Sequence, residues 1–232
     1  MAVAGIPEMT IHIALGQPVI EVVEASDEHD RRGAMALRYA VYVEEMGRRQ
    51  VHADHLRREV AEPEDASARL LVARREDGAI VGTARVHLKS DIPRTLVEMY
   101  QLERFHPFHP AQVSTTTKLI VDPRYRRTPL ALRLAQACYD IGMEAGVAFN
   151  FIDCNAHLRP FFQRLGFRQV FPDFEHPDYG AVTPLVLALR DFTYLREITS
   201  PFRLPDGPVD DFDASVAFLD DLLTAHQQPS LT

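Results

Sequence analysis

Residues Lys118 to Arg133, KLIVDPRYRRTPLALR, bring together the residue types that hold an anion. Leu119, Ile120 and Val121 read as an apolar strand entering a turn at Asp122-Pro123. Arg124, Arg126 and Arg127 follow, and Leu130 and Ala131 open a helix behind them. Thr128 suits the N-cap, because its hydroxyl can accept a bond from an orphan amide of the first turn. Pro129 sits where a fixed φ helps and a missing N–H costs little. Strand, basic turn and helix N-terminus together aim free amides and a helix dipole at one point, which is chemistry for a phosphate-bearing ligand. The segment carries five basic residues against Asp122, in a chain of net charge −8.

Other reactive side chains carry less. Cys138 and Cys154 are too few for a disulfide framework or a thiolate metal site. A buried, inert thiol is preferred over an acyl-cysteine at Cys154. His106 and His109, in HPFHP, have no obvious partners and read as loop residues, so no metal is expected.

The elements that must position these groups are mixed. Val19 to Val23 reads as a strand, and Asp27 to Met46 as a helix with Ala34, Leu37, Arg38, Val41 and Tyr42 at helical spacing. His52 to Ser67 is polar and irregular. Arg69 to Arg74 and Ala79 to Leu88 flank Asp77-Gly78, a strong hairpin signal. Asp91 to Pro110 reads as one short helix and a loop, followed by a strand at Val113 to Val121. The spacing predicts a helix over Pro129 to Ala145, a strand over Val147 to Asp153, and a short helix over His157 to Leu165 ended by Gly166. Gln169 to Phe171 and Pro184 to Leu189 read as the last strands, and Ala214 to Leu223 as a tail helix.

Apolar residues at 46% and charged residues at 25% fit a soluble globular protein of 232 residues. The first twenty residues carry Glu8 and no Lys or Arg, unlike a secretory signal. No apolar run approaches the ~20 residues of a membrane helix. A reducing cytoplasm is therefore expected. Residues 191–232 hold eight acidic and two basic residues, so most of the negative charge lies there. That balance disfavours general nucleic-acid binding. The local basic patch remains suited to a small anion or an acidic protein.

From about residue 19 to residue 190 the sequence resembles the GNAT N-acyltransferase fold. KLIVDPRYRRTPLA is similar to that fold's fourth strand and acyl-donor loop, with Arg126, Ala131 and the helix start matching and Pro129 standing at its first glycine. NAHLRPFFQRLGFR, Asn155 to Arg168, is similar to its fifth-strand end, fourth helix and following strand. Within the fold the chain resembles the branch of acyl-homoserine-lactone synthases and long-chain N-acyl amino acid synthases. RYAVY matches at Arg38 and Tyr42, EPED at Glu62 and Asp65, VGTARVHL at Gly82, Thr83 and Arg85, and TTTKL at Lys118. Thr115 stands where the branch has a glutamate, the proton acceptor for the attacking amine, and threonine cannot do that at neutral pH. Phe162 stands where many relatives carry a tyrosine that reprotonates the leaving thiolate.

The resemblance implies an α/β (α+β) fold: a mixed, mostly antiparallel central sheet flanked by helices, in a domain of residues 1–190 with an acidic extension at 191–232. It implies transfer of an acyl, and from the branch a fatty acyl, group from an acyl carrier protein or coenzyme A thioester to the amine of an amino acid or similar acceptor. Backbone amides of Leu119 to Val121 would hold the thioester carbonyl and pantetheine. Arg124, Arg126, Arg127, Thr128, Leu130, Ala131, Asn155 and Phe162 would complete the donor site. Arg38, Glu62, Asp65, Arg85 and Lys118 would form a charged cluster at the acceptor, or a structural ion-pair network. Without the glutamate, Glu62 or Asp65 becomes the expected base. His87, on the same strand face as Arg85 by alternation, and Glu98 are further candidates. Pro129 removes a loop amide and blocks close approach of a pyrophosphate, which favours the single phosphodiester of a carrier protein. The competing readings are an acetyl-coenzyme A-dependent N-acetyltransferase and a non-catalytic thioester-binding module.

Overall fold

The computed structural model describes residues 9–11, 19–106, 108–205 and 213–227. Asp206, Asp210 and Asp211 of the acidic tail lie outside the described residues. β1 (Met9–Ile11) and β2 (Ile20–Glu24) pair antiparallel. α1 (Glu28–Tyr39) begins where the Asp27 carboxylate accepts a bond from the Asp30 amide, with Glu28 and Asp30 complementing the helix dipole. The helix expected to reach Met46 instead widens into a π-helical turn over Ala40–Glu45. Its Val41-Tyr42-Val43 run is β-branched and aromatic, a poor α-helix former.

The segment expected to be irregular holds a small antiparallel ladder, β3 (Ala53–Asp54) with β4 (Glu59–Val60), and a 3-10 helix at Pro63–Ala66. β5 (Arg69–Arg75) and β6 (Ile80–Leu88) form the expected antiparallel pair, with Gly78 at φ 84° in the turn. α2 (Arg94–Met99) is flanked by 3-10 turns. β7 (Val113–Val121), α3 (Leu130–Glu144), β8 (Phe149–Cys154) and α4 (Arg159–Leu165) fall where the pattern put them. Gly166 ends α4 at φ 112°.

Gln169 to Phe171 is not a strand. Arg168 makes one isolated bridge to Val186, and the Gln169 side chain instead bonds the Phe171 carbonyl and Asp173. Pro172, with no N–H, cannot continue a ladder. Pairing resumes in β9 (Phe174–His176) against β10 (Gly180–Ala188). α5 (Phe192–Glu197) escaped the sequence pattern, and α6 (Ala214–Gln227) runs one turn past its expected end.

The chain divides into two compact units, residues 1–87 with 116–141, and residues 88–115 with 142–232. In the first, strands neighbour in the order β1-β2-β5-β6, followed by residues 116–121 of β7. Ala34 of α1 packs on Leu70 and Val72 of β5. Gly82 lets α3 close on the other face: a Cβ there would lie 2.9 Å from the Leu134 side chain. In the second, Val113 to Thr115 pair in parallel with Phe149 to Phe151 of β8, and β10 and β9 follow antiparallel. Its core is aromatic: Phe105 packs edge-on to Phe149 and Phe151, and Phe218 of α6 lies within 6.0 Å of Phe105, Phe108 and Phe149. The described strands thus form a mixed, mostly antiparallel sheet flanked by helices.

Candidate functional site

One charged cluster of the first unit gathers residues from four elements. Alternation along β6 puts Thr83, Arg85 and His87 on one face. The 3-10 helix at Pro63–Ala66 fixes two carboxylates at once through a capping box, the Asp65 side chain accepting from the Glu62 amide at 2.8 Å. Arg38 of α1 donates from Nη1 to both Asp65 oxygens at 2.9 and 2.8 Å. Arg85 donates from Nη1 to Glu62 at 2.7 Å and Asp65 at 3.2 Å, and from Nε to Thr117 Oγ1 at 2.9 Å. Lys118 of β7 reaches Glu62 at 2.6 Å, its Nζ 5.4 Å from the Tyr42 ring centre.

Electrostatics follow from that packing. Burial would raise Glu62, yet the Lys118 and Arg85 charges override it and hold it down to about 2. Burial opposes ionisation of Asp65 as well, and Arg38 and Arg85 still bring it below the usual carboxylate range. Burial pushes Lys118 down, an effect larger than the pull of Glu62. His87 is also lowered, first by burial and then by Arg85, against the bond to the Glu64 carbonyl. Three buried basic side chains, Arg38, Arg85 and Lys118, therefore face the Glu62 and Asp65 carboxylates. The cluster also has open valences: Arg38 Nε and Nη2, Thr83 Oγ1 and His87 Nδ1 are buried without a hydrogen-bond partner among the described residues. Arg38 is 0% exposed. A buried fork of guanidinium donors is complementary to a carboxylate.

Lys118 adopts φ 55°, the left-handed region, in the middle of a strand. For a residue with a Cβ this costs on the order of 1–2 kcal/mol. The same twist separates the cluster end of β7 from Leu119 to Val121, of which Ile120 and Val121 are buried. Beyond them Arg124 is locked bidentate onto Asp122 at 3.0 and 2.7 Å. Arg126 bonds Glu45 at 2.6 Å and the Val121 carbonyl at 3.1 Å. Arg127 is exposed and has no partner among the described residues. Thr128 Oγ1 accepts from the Leu130 amide at 3.3 Å and donates to the Tyr125 carbonyl at 2.7 Å, so it caps α3 as its residue type suggested. Leu130 is buried and Ala131 half-buried.

The remaining candidates belong to the second unit. The Thr115 hydroxyl is buried without a partner. Asn155 donates to the Tyr179 and Ala181 carbonyls at 3.1 Å each. Phe162 is buried edge-on to Phe161 and Phe167. Glu98 is exposed on α2 and paired with Arg94 at 2.7 Å. Both cysteines are free thiols pushed up to about 12 by burial, the inert state expected of Cys154. Two contributors were missed from sequence: Thr117, and the Glu64 carbonyl that holds His87 at 2.9 Å. Thr117 carried a signal, since it lies one residue before Lys118 in TTTKL; a backbone carbonyl carries none.

Comparisons with known proteins agree with this architecture. The family described as N-acyl amino acid synthase FeeM matches residues 33–191. The solved structure of FeeM, an N-acyl amino acid synthase from uncultured soil microbes, is similar with a TM-score of 0.61 at 14% identity, over 80% of this chain and 96% of that one. The CoA-dependent acyl-homoserine lactone synthase BjaI gives 0.57 at 18% identity, over 83% and 92%. A putative N-acetyltransferase from Lactobacillus plantarum gives 0.55 at 18%, over 73% and 98%. A search of curated proteins finds no match. The structural likenesses establish the GNAT-like fold, and the family match covers the cluster, β7 and Asn155 to Phe162 together. The chain belongs to the family of the N-acyl amino acid synthase FeeM and is an N-acyltransferase.

Proposed function

We propose that the protein transfers a fatty acyl group from an acyl carrier protein thioester to the amine of an amino acid or a similar carboxylate-bearing acceptor. The carrying observation is the buried ion-pair cluster in which Nε and Nη2 of Arg38 have no hydrogen-bond partner among the described residues. That fork supports bidentate binding of the acceptor's carboxylate. Held there, the amine is presented to the thioester as in a unimolecular reaction, the main service acyl transfer asks of a protein. Glu62 and Asp65 then orient the acceptor and balance charge. In this reading the turned backbone at Lys118 aims the amides of Leu119 to Val121 at the thioester oxygen, as an oxyanion hole.

Two observations support a carrier protein over coenzyme A. Pro129 removes a loop amide, and Arg124 and Arg126 are already engaged by Asp122 and Glu45, leaving Arg127 for phosphate. One phosphodiester suits that supply better than a pyrophosphate. The family match ends at residue 191, which supports reading 191–232 as an addition to an acyltransferase core of 1–190. The two free thiols suit a reducing cytoplasm. The test is to offer the same long acyl chain on carrier protein and on coenzyme A with pooled amino acids, and to compare kcat/KM. Carrier thioester should be preferred by about tenfold or more. Preference for acetyl-coenzyme A, with no long-chain product, would overturn both donor and chain length.

A further inference from the structure

Of the cluster's titratable side chains, His87 is the one no salt bridge occupies. Its Nε2 lies 2.9 Å from the Glu64 carbonyl oxygen. A carbonyl only accepts, so Nε2 carries the hydrogen, and in the neutral ring Nδ1 keeps a bare lone pair. That Nδ1 is buried without a hydrogen-bond partner. The charges acting on the ring are Arg85 on β6 and Glu64 and Asp65 on the 3-10 helix. Burial and then Arg85 favour the neutral ring, against the Glu64 carbonyl bond and the two acids. Glu62, by contrast, is held ionised down to about 2 by Lys118 and Arg85 and is too weak a base to keep a proton at neutral pH. Thr115 has no basic atom at all.

We propose that His87 Nδ1 is the proton acceptor for the attacking amine, replacing the glutamate that Thr115 lacks. This rests on the acyl-transfer reading above. The acceptor reacts as the free amine, its ammonium form having released a proton to solvent. As nitrogen attacks the thioester carbon, the C–N bond forms and an N–H proton passes to Nδ1. The adduct collapses, the C–S bond breaks with its electron pair on sulfur, and the thiolate takes a proton from solvent. His87 then returns its proton to solvent, and the ring is neutral again. Neutral histidine suits the transfer because its nitrogen is basic enough to take the proton of a cationic adduct and weak enough to release it.

The discriminating variant is His87→Gln, whose amide keeps an N–H for the Glu64 carbonyl but has no titratable nitrogen. Its kcat should fall by about 10²–10⁴-fold with KM for the acceptor and the unfolding midpoint near wild type. The part of the acid limb set by His87, below its ordinary 6.5, should disappear and leave that of the acceptor's own ammonium. His87→Gln turning over within about threefold of wild type, with the acid limb intact, would make His87 a mere tether for the 3-10 helix. Nitrogen-15 spectra of the histidine rings give a readout that needs no turnover. Nδ1 of His87 should be unprotonated at pH 7 and should shift when amino acid is added; a protonated Nδ1, or an unmoved one, overturns the assignment. A wild-type protein inactive on carrier and coenzyme A thioesters alike would instead remove the acyl-transfer reading, and His87's role with it.

Discussion

At the scale of single residues, the cluster's logic is a set of donors and acceptors whose count does not close. Arg38 uses one nitrogen on Asp65 and leaves two buried and open. Arg38→Lys keeps the charge and loses the fork, so KM for the acceptor should rise about 10- to 100-fold with kcat little changed; initial rates at saturating donor decide it. An unchanged KM would return Arg38 to a structural pair. Thr115→Val removes a buried hydroxyl that bonds nothing and keeps its shape. Denaturant unfolding should find that variant as stable as wild type or up to about 1 kcal/mol more stable, where loss of a used hydrogen bond would cost that much. The residue types of the cluster were legible in sequence because each sits in a motif: Arg38 in RYAVY, Asp65 in EPED, Lys118 in TTTKL. Which atoms stay open was not legible, since that depends on side chains 20 to 27 residues apart in sequence meeting at bonding distance.

At the scale of elements, the 3-10 helix at Pro63–Ala66 is held to α1, β6 and β7 by ion pairs in place of an apolar face. Glu62 has its folded value pushed down to about 2 from an ordinary 4.5. Its contribution, about 3 kcal/mol by linkage, is therefore complete above pH 4.5 and lost as the pH falls toward 2. Asp65 acts in the same direction. His87, also lowered, adds a loss that begins as the pH falls below its ordinary 6.5. Lys118, lowered as well, begins its loss on the alkaline side, below its ordinary 10.5. On the acid side, unfolding free energy measured against pH should thus decline further from near pH 6.5 and steepen below 4.5, and Glu62→Gln should flatten the steep limb. A steep limb unchanged in the variant would contradict the assignment.

Hairpin, capped helix and Gly166 turn were readable because local residues set them: Asp77-Gly78, Thr128-Pro129 and a left-handed glycine whose Cβ would meet Leu195 at 2.2 Å. The π turn after Tyr39, the left-handed Lys118 and the loss of a strand at Gln169 were not readable. The first and third have local causes that a periodicity pattern passes over, the Val41-Tyr42-Val43 run and Pro172 with Gln169's bonds to Phe171 and Asp173. Lys118 is held by Glu62, distant in sequence.

At the scale of the whole molecule, each unit carries its own core, and α6 packs into the second one. Leu219 of α6 is 0% exposed within the aromatic cluster, and Asp220 pairs with Arg168 at 3.3 Å. Leu219→Ala should cost about 2–5 kcal/mol of unfolding free energy in urea, as for other buried leucines. A change under about 0.5 kcal/mol, the scale of a surface substitution, would show that α6 is not integral to that core. Among the described residues no helix is long and apolar enough to cross a membrane.

The account as a whole stands on a carboxylate-bearing amine meeting an acyl thioester at this cluster. Its most direct test gives the protein a long-chain acyl thioester, on carrier protein and on coenzyme A in parallel, with an isotope-labelled amino acid mixture and the matching decarboxylated amines. Mass spectrometry should find labelled N-acyl amino acids, formed at least about tenfold faster than the corresponding amine products. No amide from either donor, or amides formed equally well from amines without the carboxylate, would contradict it.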